Sequence, residues 1–222
     1  PFVILGVVFI HVWALHLTGS NNPTGVEPKT EKDTLPFHPY FTTKDSLALV
    51  VFMTLFMAVV FFAPLALTHA DHSIPFNALV TPSHIVPEWY FLPFYAILRA
   101  FTVDIAIPFT GIVLLPAKLQ GVLAMFGAIV LWLFLPWLDG SNVKSARYRP
   151  RYRLCLVGLL VAFVALGYAG SQPAEGLPVV MGQISTFFYF LHFLVLLPYL
   201  SRREKTKPVP ASISDDPCCK KA

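Results

Sequence analysis

Four stretches without a single Asp, Glu, Lys or Arg, residues 46–67, 119–138, 154–170 and 179–200, constrain this chain more than any other feature. Each falls in the range of about 17–25 apolar residues that a helix needs to cross the hydrocarbon of a bilayer. Lipid offers the backbone no water, so such stretches are helices with their N–H and C=O groups paired internally. With 56% hydrophobic and 13% charged residues and a mean hydropathy of +0.66, a water-soluble globule is excluded. The chain opens inside a further apolar run, residues 1–17, that has neither a basic leader nor a small-residue cleavage site. It reads as the end of a membrane helix that begins upstream. The expected fold class is an all-α integral membrane protein: the end of one transmembrane helix, four complete ones, and a long outer-side loop containing a short surface helix.

The remaining segments follow from turn formers and charge. Residues 18–44 form a polar connector that starts with the turn-forming run from Thr18 to Gly25, and Asp45 is placed to cap the helix of residues 45–67. Residues 68–118 are rich in Pro and aromatics, too apolar for a solvated loop, and are expected to fold partly against the membrane. Within them Asp104, Pro108 and Pro116 exclude a spanning helix over the apolar run from Val103 to Leu115. A basic loop (139–153), a short turn (171–178) and a charged tail (201–222), poorly ordered at its tip, complete the chain. Cys155 lies in an apolar run and Cys218 and Cys219 are neighbours in the tail, so neither a disulfide framework nor a metal spacing is visible. Of 16 Lys and Arg residues, all but Arg99 and Lys118 fall on the connector, the basic loop and the tail, which four crossings put on one side. That side is the cytoplasm or matrix, which turns Glu88 outward and His16 inward.

Three constellations carry possible chemistry. Glu88 stands among Pro87, Trp89, Tyr90 and Phe91 with no second charge until Arg99. A carboxylate there is poorly solvated, and with Pro87 at a first helical position it would lie in a helix's first turn, near the balance between holding and releasing a proton. The competing reading is an interfacial aromatic belt, with Glu88 facing headgroups. His11 is a polar ring in an apolar span and suits a haem axial ligand, a proton relay or a hydrogen bond to a facing helix. His16 lies about 140° round the helix and about 7.5 Å further along, so the two cannot ligate one metal. His16, Ser20 and Asp45 fall at the inner boundary, where they would grip the two oxygens of a quinone; helix capping by Ser20 and Asp45 is the commoner use of such residues. The run from Arg147 to Arg153 borders a membrane crossing and reads as a topogenic loop touching anionic lipid, not as a nucleic-acid site. On residue types alone, a proton-coupled transporter and a structural membrane subunit without redox role stay open beside a redox protein.

Three blocks narrow this: His11-Val-Trp-Ala-Leu-His16-Leu-Thr-Gly-Ser20-Asn-Asn-Pro23, Pro36-Phe-His-Pro-Tyr-Phe-Thr-Thr-Lys44-Asp45, and the run from Thr81 through Pro87-Glu88-Trp89-Tyr90 to Arg99. In order and spacing they resemble cytochrome b, the membrane core of quinol:cytochrome c oxidoreductase, respiratory complex III. The resemblance covers residues 1–200 and corresponds to the C-terminal part, from late in the fourth of eight membrane helices to the last. The photosynthetic subunit that shares the Pro-Glu-Trp-Tyr motif has three helices and lacks the haem-ligand helix, so the respiratory type fits better. The resemblance implies that His11 is an axial ligand of one of two b-type haems in the whole subunit, the other ligands lying upstream. It implies an inner quinone site lined by His16, Ser20 and Asp45 with Lys44 and Phe37 nearby. It implies an outer quinol site in which Glu88 accepts a proton and Pro87, Tyr90, Phe91 and Tyr95 shape the pocket, Trp89 serving as packing. Implied with these are a Q cycle with ubiquinol and ubiquinone as substrates and a contribution to the proton gradient. The implied partners are the Rieske iron-sulfur protein, cytochrome c1 and the N-terminal part of cytochrome b, in a dimeric complex. The implied location is a bacterial cytoplasmic membrane, or alternatively the mitochondrial inner membrane. Two departures stand out. Asn77-Ala78-Leu79 replaces the usual Asn-Pro-Leu, and an extra segment at about Val103 to Pro116 resembles alphaproteobacterial members.

Overall fold

Proline decides where the apolar runs become helices. The computed structural model describes residues 1–20, 22, 24–66, 68, 73–80, 85–108 and 110–213; Thr81 to His84, Cys218, Cys219 and the tip of the tail lie outside the described residues. Helix α1 is Phe2–Thr18 and α2 is Thr42–Phe62. A short helix α3 (Leu92–Arg99) follows, and then strands β1 (Ile105–Ala106) and β2 (Val113–Leu115). Helix α4 (Ala117–Val130) continues through a 3₁₀ turn into α5 (Leu135–Leu138). Helix α6 (Pro150–Ser171) comes next, and α7 (Leu177–Leu191) passes through a π-helical turn at His192–Leu196 into α8 (Leu197–Arg203). Among the described residues, Phe37–Phe62, Ala117–Leu138, Pro150–Ser171 and Leu177–Arg203 are long and apolar enough to cross a membrane. The fold is that of a mostly helical, multi-pass membrane protein.

Several boundaries differ from expectation. Helix α2 stops at Phe62, not at residue 67, because Pro64 has no N–H to give and forces the preceding residue out of helical geometry; Ala63 has φ −143°. Its start lies earlier than Asp45. Phe41 is the capping residue, so Asp45 sits in the first turn, where a carboxylate still favours the helix dipole. Helix α6 starts at Pro150, a residue suited to a first helical position, which draws Arg151 and Arg153 out of the basic loop into the helix. The expected all-α fold is interrupted by a two-stranded antiparallel pair in the extra segment, with Ile105 opposite Leu115.

The described residues divide into two units, α1 and α2 in the first, and residues 85–209 with Thr24 and Gly25 in the second. In the first unit neither helix buries a described residue. In the second, Ala96, Ile97, Ala128, Leu166, Ala169, Tyr189, Phe193 and Leu197 form one core. Between membrane helices close packing and hydrogen bonds replace the hydrophobic drive. Tyr189 supplies both: its hydroxyl donates to the Ala128 carbonyl at 2.9 Å and accepts from Trp132 Nε1 at 3.0 Å, tying α7 to the α4–α5 run.

The basic loop corrects a further expectation. Arg149, one of the four arginines in the run read as touching anionic lipid, is fully buried, with Nη1 and Nη2 donating to the two carboxylate oxygens of Asp139 at 2.8 and 3.0 Å. Its guanidinium lies 4.0 Å from the Tyr152 ring centre, and Glu204 stands 3.8 Å from its Nε. Glu204 also accepts from the backbone N–H groups of Arg151 and Tyr152 at 2.6 and 3.2 Å, capping α6 from a residue that follows α8. The Asp139 side chain is 28% exposed and Glu204 stays beside Arg149, so removing Asp139 forfeits charge-assisted hydrogen bonds without isolating the guanidinium. Asp139→Ala is therefore expected to lower stability by about 1.5–3 kcal/mol, the range for a hydrogen bond to a charged group. Tyr189→Phe should cost about 0.6–1.7 kcal/mol, the range of a hydrogen bond between membrane helices. Unfolding midpoints of the solubilised protein rank the two, and an Asp139→Ala loss no larger than that of Tyr189→Phe would contradict the closed ion pair.

Candidate functional site

The outer stretch is built as an extended strand, a tight turn and a helix. Pro87 biases Val86 towards extended backbone, and Glu88 itself is extended, with φ −57° and ψ 152°. Trp89–Phe91 then make a 3₁₀ turn closed by the Phe91 N–H on the Glu88 carbonyl at 2.9 Å, and α3 starts at Leu92. Pro93, not Pro87, takes the first-turn position, so Glu88 precedes the helix and does not sit in its first turn. Glu88, Trp89, Tyr90 and Phe91 are exposed on this chain; the expected poorly solvated setting of the carboxylate is not supplied by the described residues. Trp89 meets Tyr90 edge to face at 5.5 Å between ring centres, and Tyr90 meets Phe91 at a tilt at 4.8 Å.

What holds this stretch is α3. The helix turns Pro93, Ala96 and Ile97 into the core. At its start the Leu92 carbonyl lies against Gly170, and at its end the Leu98 carbonyl lies against Gly121; at either glycine a Cβ would collide with backbone. From the last residue of α3, Arg99 Nη2 donates to the Gln172 carbonyl at 2.8 Å, and just past it Gln183 Nε2 donates to the Ala100 carbonyl at 3.1 Å. Tyr95 is half-buried and its hydroxyl donates to the Ile85 carbonyl at 3.3 Å. Arg99, Gly170 and Gly121 escaped the sequence reading. The usable signal was an arginine at the end of an apolar stretch that contains no other charge.

The residues expected at the inner side lie on α1, on α2 and in the turns that follow α1 and precede α2. His11 is exposed at mid-helix, and His16 is exposed in the last turn of α1. Ser20 follows the Gly19 turn, whose φ is 76°. Asp45 and Lys44 are exposed in the first turn of α2, Lys44 Nζ lying 5.9 Å from the Tyr40 ring centre. Phe37 stacks on Phe41 at 6.4 Å. Among the described residues no hydrogen bond or ion pair joins His16, Ser20 and Asp45, all three of which are exposed. No group of three or more His, Cys, Asp or Glu side chains able to hold a metal ion occurs among the described residues.

Comparison with known proteins gives these placements a context. Residues 75–190 match the family model described as Cytochrome b(C-terminal)/b6/petD. The chain is 50% identical over 214 residues to the cytochrome b of Rhodospirillum rubrum, covering 96% of this chain and 49% of that one. It is 49% identical over 226 residues to the cytochrome b of Rhodobacter capsulatus, covering 97% and 52%. Against the cytochrome b/c1 of Bradyrhizobium diazoefficiens it is 49% identical over 215 residues, covering 97% and 29%. A solved structure described as a hyperthermophilic respiratory Complex III superposes with a TM-score of 0.79 at 32% identity, over 91% of this chain and 48% of that one. The chain thus spans about half the length, or less, of the relatives it matches. On a family-model match across more than half of its residues, and relatives at 49–50% identity, the chain belongs to the cytochrome b(C-terminal)/b6/petD family.

Proposed function

We propose that this chain forms the C-terminal portion of the cytochrome b subunit of a proton-translocating quinol:cytochrome c oxidoreductase, with an outer quinol site at Glu88 and an inner quinone site at His16 and Asp45. The observation that carries the reading is the presentation of Pro87-Glu88-Trp89-Tyr90 in front of a helix locked to its neighbours by close backbone contact. Complete oxidation of a quinol releases two electrons and two protons. The Glu88 carboxylate, exposed and without a hydrogen-bond partner among the described residues, is free to take one of those protons as a general base. Pro87 stiffens the backbone before it, and Tyr90, Phe91 and Tyr95 provide flat apolar surface for the quinol ring.

On the inner side, His16 and Asp45 hand protons to quinone and Ser20 donates a hydrogen bond to one of its oxygens. Lys44 and Phe37 border the site. The haem that the family implies would be held in this chain by His11, an imidazole exposed on an uncharged helix and without a hydrogen-bond partner among the described residues. His16, about 140° round the same helix, would not hold the same iron. When bound, the haem would supply one-electron transfer between quinol and quinone sides. The reading includes ubiquinol and ubiquinone as substrates and two b-type haems in the whole subunit. It includes a Rieske iron-sulfur protein and cytochrome c1 as partners in a dimeric assembly in a bacterial cytoplasmic membrane.

Three outcomes test this reading. Glu88→Gln should slow ubiquinol oxidation by about a hundredfold, the low end for loss of a general base, at unchanged haem content; unchanged turnover across pH would remove the assignment. Substitution of His11 by Ala should remove the contribution of one of the two haems to the reducible b-type band in a reduced-minus-oxidised spectrum, and a band of full intensity would exclude His11 as a ligand. Asp45→Ala should impair reoxidation of the b-type chromophore by added quinone, with normal reoxidation counting against the inner site.

A further inference from the structure

Arg99 is the single charge between Glu88 and Asp104, and among the described residues its partners are carbonyls and a ring instead of a carboxylate. Nη2 donates to the Gln172 carbonyl at 2.8 Å, and Nη1, more loosely, to the Gly170 carbonyl at 3.5 Å. These carbonyls belong to the C-terminal end of α6, the negative end of its dipole. The same guanidinium lies 4.9 Å from the centre of the Tyr95 ring. Its Nε is enclosed and unbonded among the described residues, so the head is partly withdrawn from solvent. Tyr95 passes the constraint on, because its hydroxyl donates to the Ile85 carbonyl at 3.3 Å.

From Ile85 the chain reaches Glu88 through Val86 and Pro87. The proline holds its own φ near −65° and restricts Val86, so these residues form a stiff extended rod. A shift of the Ile85 carbonyl is carried to Glu88 with little damping. We propose that Arg99 is a positioning residue for the outer quinol site: it clamps Tyr95 against the end of α6, and Tyr95 in turn sets where the Glu88 carboxylate meets the quinol. The inference rests on the reading of Glu88 as the proton acceptor. A planar fork that reaches two carbonyls while stacking on a ring is a task for arginine, which lysine, a single point donor, performs only in part.

The test uses the purified assembly with a short-chain ubiquinol as donor and cytochrome c as acceptor, comparing Arg99→Gln, Tyr95→Phe, their double variant, Arg99→Lys and Glu88→Gln. Misplacement by roughly 1 Å costs on the order of a hundredfold in rate. Arg99→Gln and Tyr95→Phe should each lower kcat/KM for ubiquinol by about tenfold to a hundredfold. Because the two residues act in series, the double variant should be no worse than the poorer single one. Haem content and quinone-driven reoxidation on the inner side should stay normal, and Arg99→Lys should recover part of the loss. Losses that multiply in the double variant, unchanged ubiquinol kinetics, or a parallel fall in haem content and inner-side reoxidation would each overturn the proposal. Should Arg99→Gln fail to assemble, Arg99→Lys takes its place in the same cycle, with the same outcomes deciding. Slow turnover in Glu88→Gln with normal Arg99 variants would sink this inference alone. Normal turnover in Glu88→Gln would sink the reading beneath it.

Discussion

The close approach of α3 to the end of α6 is the constraint on which the second unit depends. At Gly170 the Leu92 carbonyl comes so near that no side chain fits between them, and Gly121 makes the corresponding contact with Leu98. Where lipid replaces water, helices gain little from burying apolar surface, and backbones that nearly touch gain most from packing. Two glycines, on two different membrane helices, seat one short helix at both of its ends. The seat matters because α3 is continuous with the turn that carries Trp89, Tyr90 and Phe91 and, just before it, Glu88.

Helix α6 is held at both ends by side chains distant in sequence, each of the sign its dipole favours. At the N-terminal end the Glu204 carboxylate accepts from two backbone N–H groups that have no partner within the helix, and the buried Arg149, paired with the partly exposed Asp139, stands beside it. At the C-terminal end the Arg99 guanidinium donates to the carbonyls of Gly170 and Gln172. The residues after α8 are thus part of the packed unit: the Lys207 N–H also donates to the Tyr148 carbonyl at 2.8 Å. An isolated buried charge would be unfavourable. Here each one meets a charged or dipolar partner, so the clamp at one end of α6 and the mount for Glu88 at the other brace the same helix.

Much of this was open to reading from the chain alone. Segment length and the absence of charge located the four crossings, and the aromatic setting of Glu88 singled out the outer stretch. Boundaries went astray where proline overrode hydropathy: Pro64 cut α2 short, Pro150 began α6 early, and Pro93 delayed α3 beyond Glu88. Arg149 was hidden by its neighbours, since in a run of basic residues nothing local marks the one that turns inward to an acid ten residues back. Glu204 was hidden by distance, because capping across 53 positions leaves no local pattern. The residues expected at the inner side were recognisable as types, but whether they converge depends on how α1 and α2 are partnered, and no spacing within one helix encodes that.

The central claim is that a helix seated on the end of α6 presents the Glu88 carboxylate to a quinol. A density map of the intact assembly in lipid, with an outer-site quinone analogue bound, tests it most directly. The account predicts the analogue's oxygen within hydrogen-bond reach of Glu88, with the Leu92 carbonyl still against Gly170 and Arg99 over Tyr95. An analogue bound elsewhere while Glu88 faces bulk water would contradict it.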